Sequence, residues 1–340
     1  MGTQNRKLYF DLLNICACIC VVALHCNQMV HTYAPGLNWA AGLAIEVLFY
    51  WAVPIFFMLS GATLMRYRDR YDTKTFLVKR FKRTVIPFLF WSAFLYLSAI
   101  ILKQGEEFGP RRMVNAILNN QVEQVYWFFF PLFSTYLAMP VLSLLADHKR
   151  ILWYMAGGSF ALTSVLPFIL SPLGIQWPGS ISLPVCGGML MFVVLGFLLS
   201  ETDVQKKYRY LAYALGAFSL CYRYIFTYIN STNIGMVDRT YFNYRAWPSV
   251  LLAVAVFLWF KQLDTSHLSK WAQSITKLSG CSFGVYLIHK PILDFFMIKL
   301  LGIPMTSILL RTLGIPVLYI SCVLIVRTLK RIPLLRSIVP

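Results

Sequence analysis

Phe10 to Asn27 reads FDLLNICACICVVALHCN, an apolar stretch that nevertheless holds an acid, an amide and an imidazole: Asp11, Asn14 and His25. With Cys18 and Val21, these residues fall at i, i+3, i+7, i+10 and i+14, which at 100° per residue is one narrow face of one helix. Asn14 and His25 stand about 16 Å apart along that axis, so they cannot touch and must line different depths of one cavity. Ionisable groups are costly in hydrocarbon, and a face of them points to function, a proton or solute pathway being its plainest form. The alternative is a histidine hydrogen-bonded to a neighbouring helix for packing alone.

Four other stretches carry residues that an apolar chain has little reason to keep. In VPIFFMLSGATLMR, Val53 to Arg66, Pro54 breaks a span, and Ser60 with Gly61 lets another backbone approach closely. In FLVKRFKRTVIPF, Phe76 to Phe88, the run Lys79, Arg80, Lys82 and Arg83 precedes a span. On a helix Arg80 and Arg83 share a face. Such a cluster serves as a positive-inside anchor, a lipid headgroup site or a site for a phosphorylated cytosolic ligand. Its eight basic residues between Arg66 and Arg83, against Asp69 and Asp72, exceed what anchoring needs. VYWFFFPLFSTYLAMP, Val125 to Pro140, sets Trp127 at an exterior interface, where an aromatic belt accounts for it. CSFGVYLIHKPI, Cys281 to Ile292, holds Tyr286 and His289 next to a lysine and a helix breaker, a combination rare in lipid. Arg223 also falls inside a span, with Asp294 or Glu46 as its candidate partner.

The elements that must position these groups are membrane helices. Of 340 residues, 58% are hydrophobic and 13% charged, with a mean hydropathy of +0.64, outside the range of soluble globular domains. The expected fold is all-α and polytopic, one transmembrane domain over 1–340. About ten spans fit, roughly 8–30, 39–65, 84–102, 126–146, 151–171, 183–200, 208–229, 246–261, 281–301 and 306–326, each near the length that crosses about 30 Å. No small-residue cleavage site follows the first run, so it reads as a retained helix. With both termini cytoplasmic, twenty-two of the 31 basic residues fall on the cytoplasmic side and six on the other. The net charge of +18 is therefore topology, and nucleic acid is not an expected partner. The eight cysteines read as small hydrophobes. Cys16, Cys18 and Cys20 fan out around a helix and cannot share a metal, so none is expected. The loops over 103–125 and 230–245 are the expected docking surfaces for any exterior substrate.

Taken in order and spacing, these stretches resemble the acyltransferase-3 family of bacterial membrane acyltransferases, over nearly the whole chain and in its stand-alone form. The resemblance implies transfer of an acyl group, usually acetyl from cytoplasmic acetyl-CoA, to a hydroxyl of a carbohydrate at or beyond the far face of the cytoplasmic membrane. It implies His25 as the catalytic residue, and Arg80 and Arg83, with Lys79 and Lys82 beside them, as the holders of the CoA phosphates. One position departs: the family usually has an arginine eleven residues before the histidine, where this chain has Asn14. An amide cannot supply a guanidinium's charge, and Arg223 is a candidate to supply it from elsewhere.

The basic mouth and His25, about 25 Å up the first helix from Leu8, fit a CoA that binds by its nucleotide and threads its pantetheine arm inward. A neutral His25 would then take the acceptor's hydroxyl proton. Asp11 would balance charge near the mouth, and Ser60 and Gly61 would shape the cavity. A solute or proton-coupled transporter, and an acyltransferase-like module that binds ligand without turnover, are the competing expectations.

Overall fold

The computed structural model describes residues 7–102 and 109–340. Arg6 and the first part of the expected exterior loop, including Lys103, lie outside them. The protein is 77% helix, with no strand among the described residues. The helices are α1 (Leu8–Cys26), α2 (Leu37–Phe49), α3 (Ala52–Leu64), α4 (Thr73–Arg80), α5 (Ile86–Ile101), α6 (Pro110–Leu118), α7 (Phe129–Leu142) and α8 (Lys149–Ser159). There follow α9 (Leu166–Leu170), α10 (Leu190–Glu201), α11 (Lys206–Ile234), α12 (Trp247–Gln262), α13 (Ala272–Ser279), α14 (Ser282–Ile292), α15 (Ile308–Arg311) and α16 (Gly314–Arg331).

Among the described residues five helical stretches are long and apolar enough to cross a membrane: Leu8–Cys26, Leu37–Asp69, Thr73–Ile101, Gln124–Leu145 and Lys149–Leu170. A sixth is counted if α12 and the stretch Ser266–Ser279, bent by 89° from it, form one span. The remaining expected spans are helical but miss those limits for visible reasons. α10 has only 12 residues, and α16 ends on Arg327, Lys330 and Arg331.

Two boundaries differ from the sequence reading. The third span starts not near 84 but at Thr73, where the Asp72 carboxylate caps α4 by accepting from the Thr75 N–H at 2.7 Å. The basic run thus lies within a continuous helix, across a wider π-helical turn over Phe81–Val85. Pro54 does not break its span: it sits in the first turn of α3, where a missing N–H is tolerated, and the discontinuity falls just before it, at Tyr50–Trp51.

The core is set by α1 and α3 against α10, α12 and α14. α3 and α10 touch backbone to backbone: a Cβ on Gly61 would lie 1.8 Å from the Val193 carbonyl oxygen, and one on Gly196 would lie 2.0 Å from that of Met58. Small residues allow such closeness between membrane helices, and dispersion from the packed surfaces is the return. Gly61 therefore serves helix packing, away from the cavity, while Ser60 beside it faces in.

The far end of α1 is bolted to α2. Asn27 donates from Nδ2 to the Gly42 carbonyl at 2.7 Å, and Arg311 donates to the Asn38 carbonyl at 3.1 Å and to the Asn38 side chain. Both Asn27 and Arg311 are buried, and these bonds satisfy part of what lipid could not, leaving the Asn27 Oδ1 and the Arg311 Nε without a hydrogen-bond partner among the described residues.

Candidate functional site

The polar face of α1 is met, residue by residue, by α13 and α14. Thr276 donates to the Asp11 carboxylate at 2.9 Å, and Asn14 donates from Nδ2 to the Ser279 carbonyl at 3.0 Å and hydroxyl at 2.9 Å. The Cys18 thiol lies 3.7 Å from the Ser282 carbonyl, and the rings of His25 and His289 stand 5.0 Å apart. The separation in sequence is 265 for the first two pairs and 264 for the third, and His25 to His289 repeats the latter. A constant offset means that the two segments run parallel, in register, and that His289 stands at the height of His25. Thr276, Ser279 and Ser282 went unnoticed in the sequence because the first two fall in a short polar segment between the expected spans, where hydroxyls are ordinary. Only their spacing of three and three, close to the three and four of Asp11, Asn14 and Cys18, marks them.

At the basic end this seam opens into a cavity of about 970 Å³, within the range of small-molecule sites. Its walls include Asp11, Asn14, Ser60, Lys79, Arg80, Arg83, Tyr136, Ser279, Ser282 and Tyr286. Arg66 and Arg70 also line it but are spoken for: Arg66 pairs with Asp147 at 2.9 Å and Glu201 at 3.5 Å, and Arg70 donates to the Thr63 carbonyl at 2.8 Å. Arg80 lies over the rings of Phe76 and Tyr136, each 5.8 Å away, and Lys79 lies 3.9 Å over Tyr71. Among the described residues neither Arg80 nor Arg83 has a carboxylate within ion-pair distance. Cations left unneutralised in a cleft are suited to an anion with several oxygens. Lys82 lies outside this cavity, on an apolar groove with Phe81, Phe133 and Leu137 that Arg80 also lines.

The inner limit of the cavity is Phe128 and Tyr286, whose rings touch at 5.1 Å. Two crossed hydrogen bonds hold this wall. The Tyr286 hydroxyl donates to the Val125 carbonyl, and the Tyr126 hydroxyl donates to the Leu287 carbonyl at 2.8 Å. Tyr286 in turn touches His289, with rings 5.5 Å apart, and His289 touches His25. His25 itself is half-buried beyond that wall and does not line the cavity.

Beside the wall lies a second buried group. Trp127, Tyr244 and Tyr50 are stacked with interplanar angles of 15° and 17°, and the Arg223 guanidinium caps the far end, 3.7 Å from the Tyr50 ring centroid. Arg223 is 2% exposed and Glu46 is 4% exposed, close enough to act on each other. Of the two candidate partners, Glu46 is therefore the one beside it, while Asp294 pairs with Lys290. Asn14 is held by Ser279, so the amide in the arginine's place has a structural partner. Among the described residues no group of three or more His, Cys, Asp or Glu could hold a metal, and all eight cysteines are free thiols.

The structure is thus a helical membrane-type bundle with a basic cleft that leads toward a half-buried His25 and a buried His289. The model of the acyltransferase-3 family, described as an acyltransferase domain, matches residues 7–327, and the chain belongs to that family. No curated protein and no solved structure matches it.

Proposed function

We propose that this membrane acyltransferase moves a short acyl group, acetyl in the simplest case, from cytoplasmic acyl-CoA to a hydroxyl of a cell-envelope carbohydrate. The setting is a bacterial cytoplasmic membrane, crossed about ten times with both termini inside. The observation that carries the reading is the continuity of the site. Unneutralised Lys79, Arg80 and Arg83 stand at the mouth of a cavity whose inner wall, Tyr286, is in contact with the histidine pair.

In this reading the CoA phosphates rest on Arg80 and Arg83 through charge-assisted hydrogen bonds. The pantetheine arm runs along Asn14 and Ser60 toward Tyr286, which gives way as the thioester passes. The acceptor comes from the opposite side, where Trp127, at the end of the ring stack away from Arg223, offers a surface suited to sugar. A neutral His25 takes the hydroxyl proton while the oxygen attacks the thioester carbonyl. The intermediate collapses with cleavage of the C–S bond, and the imidazolium returns the proton to the thiolate, leaving an ester and free CoA.

The test is CoA and acetyl-CoA binding to detergent-purified protein by calorimetry, followed by release of free thiol. The expected result is micromolar binding, weakened about 10- to 100-fold in the Arg80→Ala/Arg83→Ala variant and kept in His25→Ala, with thiol release at saturating donor lost only in His25→Ala. Absence of binding at millimolar CoA would overturn the donor assignment. Proton-coupled solute flux in liposomes would then identify a transporter.

A further inference from the structure

We infer that His289 is a positioning residue for His25: its Nε2 accepts a hydrogen bond from one ring nitrogen of His25 and so turns the other nitrogen, lone pair outward, toward the acceptor hydroxyl. The inference rests on the reading of His25 as the base.

His289 is 0% exposed, yet it has a defined polarity. Its Nδ1 lies 2.7 Å from the Tyr286 carbonyl and 3.2 Å from that of Val285. Carbonyl oxygens only accept, so in the neutral ring Nδ1 carries the hydrogen and Nε2 the lone pair. That Nε2 is buried and has no hydrogen-bond partner, a condition that native interiors rarely tolerate without a reason. The other imidazole in contact with His289 is His25, its ring 5.0 Å away centre to centre and tilted by 44°. A modest rotation of either ring closes a nitrogen-to-nitrogen hydrogen bond of about 3 Å. The neighbouring charge does not compete for it, because the Lys290 ammonium is engaged by Asp294.

The pairing does two things for a base. A donor bond to His289 fixes which His25 nitrogen is bare, as a carboxylate or carbonyl does for other histidines. Once His25 is protonated, the same bond becomes charge-assisted and so stronger. The proton stays on His25 and leaves with CoA. His289 never meets the substrate.

The chain has five histidines, few enough for ¹⁵N-histidine spectra of the whole protein in bilayers to be assigned by single substitutions. We expect one tautomer for His25 in the wild type, a mixture in His289→Leu, and a single tautomer again in His289→Gln, whose carbonyl can accept in place of Nε2. In thiol-release kinetics, His289→Leu should lower kcat about 10- to 100-fold with KM for acetyl-CoA unchanged, and His289→Gln should restore most of it. His25 signals that are the same in wild type and His289→Leu would overturn the pairing. A kcat loss that His289→Gln does not restore, with its tautomer restored, would overturn the positioning role. If the tautomer responds as expected but His25→Ala leaves thiol release intact, the pairing stands and the assignment of His25 as the base fails.

Discussion

At the basic end, Arg80 and Arg83 stand in a cavity of about 970 Å³, without a carboxylate partner among the described residues, and most of the lining is exposed or half-exposed. At the other end of the same α1 face, His25 and His289 meet in a space closed by Tyr286, Phe128 and two crossed backbone-directed bonds. The first region works by field: charge reaches several ångströms, accommodates a flexible ligand and weakens with salt. The second works by placement, where a ring that turns by a few tens of degrees gains or loses its partner. In the proposed mechanism, binding and chemistry are thus given to parts of the molecule that tolerate change differently.

The sharpest break of this comparison is His25→Ala. We expect thiol release to fall about 10²- to 10⁴-fold, the range for a lost acid–base group, with CoA affinity kept, as kinetics and calorimetry on one preparation would show. Next, Arg80→Ala/Arg83→Ala should weaken CoA binding about 10- to 100-fold, from the loss of hydrogen bonds to charged groups worth about 1.5–3 kcal/mol. Its kcat at saturating donor should be unchanged. A salt titration sharpens the point: wild-type affinity should drop steeply with ionic strength and the variant's should not. Gly196→Ala should act on neither region alone. A methyl 2.0 Å from the Met58 carbonyl must push α3 from α10, and overpacking of this kind costs about 1–3 kcal/mol, read as a lower melting temperature with both activities falling together. Smallest is Asn14→Ala, which removes two bonds to Ser279. A loss of about 1 kcal/mol in stability is expected, with CoA affinity changed less than threefold; a larger affinity loss would give Asn14 a direct part in donor binding.

Much of the site was legible because helix periodicity is a local property. The spacing of Asp11, Asn14 and His25 was enough to put them on one face, and Arg80 with Arg83 followed by the same arithmetic. The helix that bears the basic run was misjudged by about eleven residues, since charged residues lower the hydropathy of a segment that is helical all the same. The cue present was Asp72, an N-cap before Thr73–Arg80. Span number was harder. Tyrosines and Arg223 dilute α11, although it runs 29 residues without a break. What no single-chain reading could supply was partnership. Ser60 and Gly61 announce a close approach, but only the fold sends Gly61 to Val193 and Ser60 to the cavity. Likewise Arg223 had two acids within chemical reason, and packing alone sets it beside Glu46.

The constant offset of 264 or 265 residues between α1 and its partner segment also bears on how the protein is made. Helices enter the membrane in the order of synthesis, and domains take shape from the N-terminal end first. α1 is therefore in the bilayer, its Asn14 without Ser279 and its His25 without His289, until α13 and α14 have followed some 260 residues later. Helices inserted earlier must shelter that face in the meantime, so a nascent or truncated chain has a binding mouth before it has a histidine pair. Synthesis itself thus holds the reactive centre back until the last third of the protein has arrived.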